Sequence, residues 1–207
     1  MLIQGLVRLE RKDIGRLVEL MSDSFMQDPL YQKLIPDETV REKLLPRYFR
    51  CYLGRYFDYC HAFADSEEMN GAIVVFDDSD EHNALRYRFD GLRYELLEYF
   101  EVLRSDPSLR TFRKFRKNKQ FLTSDWVRGA IDAPDVHLDL LAVRQSARGK
   151  GVARKLMEPF LQYAEQRRYS ATLETHNPRN VAIYQRFGFQ TVLELGSGAL
   201  HQYCMVR

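Results

Sequence analysis

Residues 136–164 place an apolar run directly before a basic, glycine-containing turn and a helical pattern. The run VHLDLLAV predicts a buried strand, and RKLMEPFLQYA predicts an amphipathic helix after the turn RQSARGKGVA. A helix N-terminus leaves its first amide groups without intrahelical partners and carries partial positive charge. Because Gly149 and Gly151 lack a Cβ atom, an anion can approach the backbone closely there. The segment therefore predicts a strand–turn–helix unit that binds a phosphate-bearing ligand.

Two common nucleotide-binding turns do not fit this segment. A P-loop requires G-x-x-x-x-G-K-[ST], and no Ser or Thr follows in the sequence G-K-G-V. A dinucleotide fingerprint requires a third small residue, and Arg154 occupies that position. Taken alone, the turn is also compatible with an ordinary helix start.

The rest of the chain alternates between strand and helix patterns, which predicts a sheet protein of the α/β or α+β class. Strands are predicted at Leu2–Leu9, His61–Asp65, Gly71–Phe76, Val136–Val143, Ala171–Glu174, Phe189–Leu195 and Leu200–Val206, with a glycine turn at 196–198 before the last. Helices are predicted at Arg11–Met26, Thr39–Tyr59 with an interruption near Pro46, Gly91–Leu103, Pro107–Leu122, Gly149–Arg167 and Pro178–Phe187. Residues 28–37, broken by two prolines, are predicted to form a loop or a short helix.

Composition is that of an ordinary globular protein. Hydrophobic residues make up 45% of the 207 residues, and one domain is expected at this length. There is no run of about 18 apolar residues and no secretory signal pattern, so we expect a cytoplasmic protein without a membrane span.

Cysteine and histidine usage suggests neither disulfides nor a metal. Cys51, Cys60 and Cys204 are odd in number and lack C-x-x-C spacing, which favours free thiols in a reducing compartment. The five histidines are scattered, so no metal site is expected.

Residues 109–121 carry six basic residues and no acidic one. Interleaved aromatics are compatible with a nucleic-acid contact. At helical spacing, however, Phe112, Phe115 and Leu122 predict a buried stripe beside a solvated face, which is the interpretation we favour.

Two motifs together resemble the GNAT superfamily of acyltransferases. The turn R-x-x-G-x-A that begins at Arg148 matches the superfamily's R/Q-x-x-G-x-G/A turn. Downstream, LETHNPRNVAIYQRFGF is similar to its second signature, with Asn177 at a strand exit and Tyr184 seven residues later. The two motifs lie in the family's order, over roughly residues 136–206.

This resemblance implies a mixed, mostly antiparallel central sheet that is splayed between its fourth and fifth strands, with helices on both faces. Residues 1–207 would form a single acetyltransferase domain with extra inserted helices at roughly 84–131. The inserted helices would either cover the acceptor pocket as a lid or mediate a homodimer contact.

The resemblance also implies acetyl-CoA as the donor cosubstrate. Backbone amides of the turn would surround its pyrophosphate, and the unpaired peptide groups of the splayed strand would bind its pantetheine arm. A bulge in that strand would free one amide, near Leu141 or Ala142, for the thioester oxygen. The implied donor-binding residues are Leu141, Ala142, Val143, Arg148, Gly149, Lys150, Gly151, Val152, Ala153, Asn177 and Asn180. Both asparagines are alternatively helix-capping residues.

Tyr184 is the implied general acid, which would protonate the leaving CoA thiolate. A phenol with a pKa of about 10 stays protonated at neutral pH. A core-packing role is the alternative for this residue.

The general base is open among three side chains and a water chain. Strand alternation places Leu138, Leu140 and Ala142 on one face, and His137 and Asp139 on the other, toward the acceptor. Histidine needs no unusual environment to act as a base, whereas Asp139 is also suited to bind the ammonium. Glu174, at the end of the next strand, is the third candidate.

In the family, acceptor pockets are built from the first two helices, which here points to Phe25, Asp28 and Tyr31, with Tyr52 or Tyr56 nearby. Aromatic side chains and an acid suit an amine with an apolar body. The sequence thus predicts an N-acetyltransferase for a small-molecule amine. Acetylation of a protein or peptide amine and a non-catalytic acyl-CoA-binding module are the alternatives.

Overall fold

Seven strands form one mixed sheet in the computed structural model, which describes residues 1–197 and 200–207. The strands are β1 Val7–Arg8, β2 His61–Ala64, β3 Gly71–Asp77, β4 Asp135–Val143, β5 Ser170–Thr175, β6 Gln190–Ser197 and β7 Leu200–Val206. Their spatial order is β1-β2-β3-β4-β5-β7-β6, and only the β4–β5 pair is parallel. This mixed, mostly antiparallel sheet confirms the predicted fold class. The glycine turn predicted at 196–198 extends beyond the described residues.

Helices cover both faces of the sheet, as predicted. They are α1 Ile14–Phe25, α2 Pro29–Leu34, α3 Glu38–Tyr56, α4 Ala84–Ser105, α5 Arg110–Asn118, α6 Trp126–Ala130, α7 Val152–Arg167 and α8 Pro178–Arg186. Helices α1, α2, α3 and α5 pack on one face, where small residues such as Ala62 and Ala72 leave room for them. Helix α7 covers the other face through Leu156, Met157 and Phe160.

Local predictions near prolines and glycines needed correction. Helix α3 is continuous through Pro46, although interior proline costs about 3 kcal/mol. The neighbouring Leu45 and Phe49 are fully buried, and burying two such side chains contributes about 3–6 kcal/mol, which offsets the loss. The first strand is only Val7–Arg8, because Gly5 adopts φ 85° and turns the chain.

A bulge at Asp139 corrects the predicted alternation of β4. In the pairing with β3, Val75 lies opposite Leu138 and Val74 lies opposite Leu140, so Asp139 is the extra residue. Leu138 consequently joins the core on the α7 side, whereas Leu140 joins the core beneath α1 and α3. A bulge is therefore present in β4, but it lies at Asp139, before Leu141 and Ala142, near which the bulge was expected to free an amide.

The sheet separates directly after this point. Residues Asp135–Leu138 of β4 pair with Ser170–Leu173 of β5. Beyond them β4 keeps its pairing with β3 only, while Glu174 and Thr175 of β5 pair with β7. The predicted splay between the fourth and fifth strands thus begins at the bulge, and the edge of residues 139–143 faces the gap.

Of the helices between β3 and β4, α4 lies against α3, and α5 packs against α2 and α4. Phe115 of α5 is fully buried, and Phe112 packs at its side, so the predicted apolar stripe of residues 109–121 exists. Lys119 forms ion pairs with Glu95 and Glu98 of α4. The outer face of α4 is apolar and exposed, through Leu85, Phe89, Leu92, Leu96 and Phe100.

Candidate active site

The turn before α7 has the backbone of an anion site. Gly149 and Gly151 have φ of 76° and 80°, in the left-handed region that favours glycine, and a Cβ atom added to either would meet open space. Helix α7 starts at Val152, so the amides of its first turn lack intrahelical partners. The amides of Arg148 and Lys150 instead donate to carbonyls within the turn. Fewer amides of the turn are therefore free to bind an anion than the sequence suggested.

This turn forms one wall of an open cleft with a volume of about 1440 Å³. The other walls are the end of β4, the end of α1 and the first turns of α8. The expected donor-binding residues that line the cleft are Leu141, Ala142, Val143, Arg148, Gly149, Gly151, Val152, Ala153, Asn177 and Asn180. Lys150 is exposed and lies outside this lining.

A second, smaller cavity of about 120 Å³ lies on the α3 side of the splay. Its lining includes all three expected acceptor residues, Phe25, Asp28 and Tyr31, together with Tyr48 and Tyr52. The inserted segment contributes Phe121, Leu122 and Ser124, and strands β4 and β5 contribute Leu138, Asp139, Leu140, Glu174, Thr175 and His176. Residues 121–124 belong to the inserted helices, for which covering the acceptor pocket was one of the two predicted roles.

The cleft and the cavity share several lining residues. Leu141, Asn180 and Tyr184 line both, as do Phe25 and Asp28. These residues lie where β4 and β5 separate, so a ligand in the cleft and a ligand in the cavity would meet there.

Asp139, the bulged residue, lies at the cavity with a single hydrogen-bond partner among the described residues. The Tyr52 hydroxyl donates to its Oδ2 at 2.7 Å. Burial raises the pKa of this carboxyl to about 6, although nearby His137 and the Tyr52 hydrogen bond both lower it. Asp139 therefore titrates close to neutral pH and has capacity to accept further hydrogen bonds.

His137 is buried beside the cavity, and its hydrogen bonds define its protonation. Thr172 donates to Asp135 at 2.8 Å, so its Oγ1 accepts from His137 Nδ1 at 2.9 Å. Ser124 likewise donates to Glu174 at 2.6 Å and accepts from His137 Nε2 at 3.1 Å. Both ring nitrogens thus carry protons. Burial lowers the pKa of His137, but the Glu174 carboxylate raises it by more, so the pKa lies above its usual value.

Glu174 is the matching anion, 3.4 Å from His137 Nε2. Ser124 and the Trp126 indole also donate to it, at 2.6 and 2.8 Å. Burial raises the pKa of Glu174, but the charge of His137 and these hydrogen bonds outweigh it and lower the pKa. Two of the three base candidates therefore form a hydrogen-bonded ion pair, and Asp139 stands apart from it.

Tyr184 lies on α8 at the junction of cleft and cavity. Its ring contacts Phe189, with centroids 6.0 Å apart. Burial, and then the charge of Asp28, raise the pKa of the phenol above its usual value. Its hydroxyl thus holds its proton at neutral pH.

The family model described as "Acetyltransferase (GNAT) family" matches residues 89–189, which include the anion turn and Tyr184. Residues 89–189 form a GNAT acetyltransferase domain. This domain makes the chain an acyl-transferring enzyme.

Solved structures of low sequence identity share this GNAT fold. A histone acetyltransferase HPA2-related protein from Corynebacterium glutamicum is 19% identical, with TM-score 0.62 over 99% of this chain and 96% of that one. The C-terminal condensation domain of Ebony, in complex with β-alanyl-dopamine, is 11% identical, with TM-score 0.62 over 100% and 99%. Arabidopsis thaliana NAA60, in complex with acetyl-CoA, is 14% identical, with TM-score 0.53 over 98% and 96%. No curated protein matches the chain significantly.

The two asparagines of the GNAT signature occupy different positions. Asn177 is the N-cap of α8, where its side chain accepts from the Arg179 amide at 3.1 Å. Asn180 lies one turn later, and its Nδ2 is 3.4 Å from Thr175 Oγ1. Asn177 thus has the capping role, while Asn180 reaches the junction.

Asp28 also combines two roles in this GNAT protein. Its side chain caps α2 by accepting from the Leu30 amide at 2.9 Å, and it lines both cavities. Burial raises its pKa to about 6, although backbone hydrogen bonds lower it. Phe25 and Tyr31 line the same small cavity and meet edge to face, with ring centroids 5.6 Å apart.

His176 was missed by sequence reasoning. It lines the small cavity, is 8% exposed, and its Nε2 has no hydrogen-bond partner among the described residues. Burial lowers its pKa to about 4, although Glu174 and a hydrogen bond to the Phe121 backbone raise it. The signal was present, because strand alternation places residues two positions apart on one face, and Glu174 was already a candidate.

Within residues 1–197 and 200–207, no three His, Cys, Asp or Glu side chains are grouped as metal ligands. Over the same residues, no helix is both long and apolar enough to cross a bilayer.

Proposed function

We propose that this enzyme transfers the acetyl group of acetyl-CoA to the amine of a small molecule. The observation that carries the proposal is the junction at Leu141 and Tyr184, where the cleft beside the glycine turn meets a small cavity lined by three acidic side chains, Asp28, Asp139 and Glu174. The cleft suits a phosphate-bearing thioester, and the cavity suits an ammonium.

The cleft residues fit acetyl-CoA. The glycine turn and the N-terminus of α7 would hold the pyrophosphate, with Arg148 supplying charge at the rim. Residues Leu141–Val143 pair with β3 on one edge and have no strand partner on the other, so the peptide groups on that second edge would pair with pantetheine amides. Binding of acetyl-CoA by the similar Arabidopsis protein supports this assignment.

The small cavity suits a compact amine. At about 120 Å³ it is close to the roughly 150 Å³ apolar cavity that accommodates benzene. Asp28 and Asp139 would attract an ammonium, and the rings of Phe25 and Tyr31 would cover its apolar body. The complex of the similar Ebony domain with β-alanyl-dopamine supports a small-molecule acceptor.

The proposed reaction needs three proton transfers. Asp139 takes the proton that the ammonium must lose, and the neutral nitrogen attacks the thioester carbonyl. The C–N bond forms, the C–S bond breaks, and Tyr184 donates its proton to the leaving thiolate. The nitrogen, positively charged after its attack, loses its second proton, which restores the phenol of Tyr184. His137 and Glu174, already engaged with each other, keep the β4–β5 junction and Ser124 in position.

A panel of small primary amines with acetyl-CoA, read by release of free thiol, tests the proposal. We expect turnover with amines whose body is about the size of a benzene ring, and much slower turnover with peptides that present the same amine. Calorimetry should show CoA binding independently of any amine. CoA binding without thiol release from any amine would contradict an acetyltransferase function, and preference for peptides would contradict the small acceptor.

A further inference from the structure

One polar atom in the small cavity has no partner. His176 Nε2 is buried, and no described residue lies within hydrogen-bonding distance and geometry of it. The Phe121 backbone raises the pKa of the ring, as its carbonyl does when it faces a ring N–H, so we assign the proton to the other nitrogen, Nδ1. Nε2 then keeps a lone pair without a donor, in a residue that lines the cavity. A buried acceptor left without a donor is costly, which makes it a site that a ligand would satisfy.

The ring stays neutral under ordinary conditions. Burial lowers the pKa of His176 to about 4, despite the carboxylate of Glu174 on the same strand. The other charged groups at the cavity are Asp28 and Asp139, and His137 behind Glu174 supplies the balancing positive charge. A neutral imidazole with Nδ1 engaged offers only acceptance of a hydrogen bond at Nε2.

The reacting nitrogen already has partners of its own. Asp28 and Asp139 supply carboxylate oxygens for an ammonium. His176 belongs to a different wall, made by the end of β5 and the inserted segment that includes Phe121 and Leu122. A donor for Nε2 must therefore come from another part of the acceptor molecule.

We infer that His176 selects acceptor amines that carry a second hydrogen-bond donor, a hydroxyl or an N–H group, on their body. The inference rests on the proposed function and narrows its substrate class. An amine with a methyl group in place of that donor would leave Nε2 buried and unpaired. Sites built around a substrate donor reject the analogue that lacks it far more strongly than apolar pockets reject a missing methylene.

The test uses pairs of amines that differ only in a hydroxyl or a methyl group. Suitable pairs are the 2-, 3- and 4-hydroxybenzylamines with their methyl counterparts, and 3-aminopropanol with butylamine. We expect kcat/KM of the wild-type enzyme to favour the hydroxyl member of the best pair at least tenfold. In His176→Phe the ratio should fall to about one, whereas His176→Gln, which retains an acceptor oxygen, should keep part of it.

His82→Phe, the same substitution at an exposed position outside the cavity, is the control and should retain the wild-type ratio. If His176→Phe does not fold, His176→Leu takes its place. A wild-type enzyme that turns over both members of every pair equally would overturn the inference but keep the acetyltransferase. If His176→Phe slows turnover of both members of a pair by the same factor, the inference is also overturned, because a general base would act on both members alike. No turnover with any amine would overturn the proposed function as well.

Discussion

Tyr52→Phe should shift the acid limb of the pH–rate profile upward. The Tyr52 hydroxyl donates to Asp139 Oδ2 at 2.7 Å, and that hydrogen bond favours the ionised carboxylate. Removing the hydroxyl therefore raises the pKa of Asp139. In the proposed mechanism only ionised Asp139 accepts the ammonium proton, so activity of the variant should disappear at a higher pH than in the wild type.

The size of the shift follows from the hydrogen bond. Burial already raises the pKa of Asp139 to about 6, which places the wild-type midpoint near that pH. A hydrogen bond to a charged group contributes about 1.5–3 kcal/mol, and about 1.4 kcal/mol corresponds to one pKa unit. The variant midpoint should therefore lie about one to two units higher. At pH 6 its activity should be about 5- to 50-fold below wild type, and near pH 9 the difference should be small.

The assay is kcat/KM for one amine, from initial thiol release at saturating acetyl-CoA between pH 5 and 9. Because both enzymes receive the same amine, its own ionisation contributes equally and cancels in the comparison. Tyr163→Phe is the matched control, since Tyr163 donates to buried Asp77 away from both cavities. An unchanged or lowered midpoint in Tyr52→Phe would refute the assignment of the limb to Asp139.

Three further predictions concern the donor site, the acid and the stability of the fold. Tyr184→Phe should lower kcat by about 100-fold or more while calorimetry shows CoA affinity within about twofold of wild type; unchanged kcat would remove Tyr184 from the chemistry. Gly151→Glu should weaken CoA binding at least about tenfold, through backbone strain and like charge at the anion site, whereas Gly5→Glu, with a similar φ of 85°, should not. Asp139→Asn should abolish most activity yet raise the free energy of unfolding at pH 7 by about 1–3 kcal/mol. The folded pKa of Asp139 lies above the unfolded one, so the cost of ionising the buried group builds up between about pH 4 and pH 6 and is complete above that range. That gain should vanish below about pH 4, and a destabilised Asp139→Asn at pH 7 would count against the raised pKa.

Local patterns were sufficient for the framework. The strand before the turn, the glycine turn and the helix after it are encoded within thirty residues of one another, roughly the length of one supersecondary unit. Gly149 and Gly151 adopt a left-handed backbone that glycine, without a Cβ atom, adopts readily, so the residue type alone predicts this conformation. Sequence reasoning failed at Pro46, where the local cost of proline is outweighed by side chains that pack against distant parts of the chain.

The sequence by itself determined the side of the site where we propose the donor binds: the glycine turn, the position of Tyr184 and the family fold. Only the tertiary structure decided the side proposed for the acceptor. It showed that the bulge falls at Asp139, that His137 and Glu174 form an ion pair, and that the inserted segment brings Phe121 against His176. The physical reason is range: a helix N-terminus is built from consecutive residues, whereas a buried side chain's protonation depends on groups far apart in sequence, which the fold alone brings together.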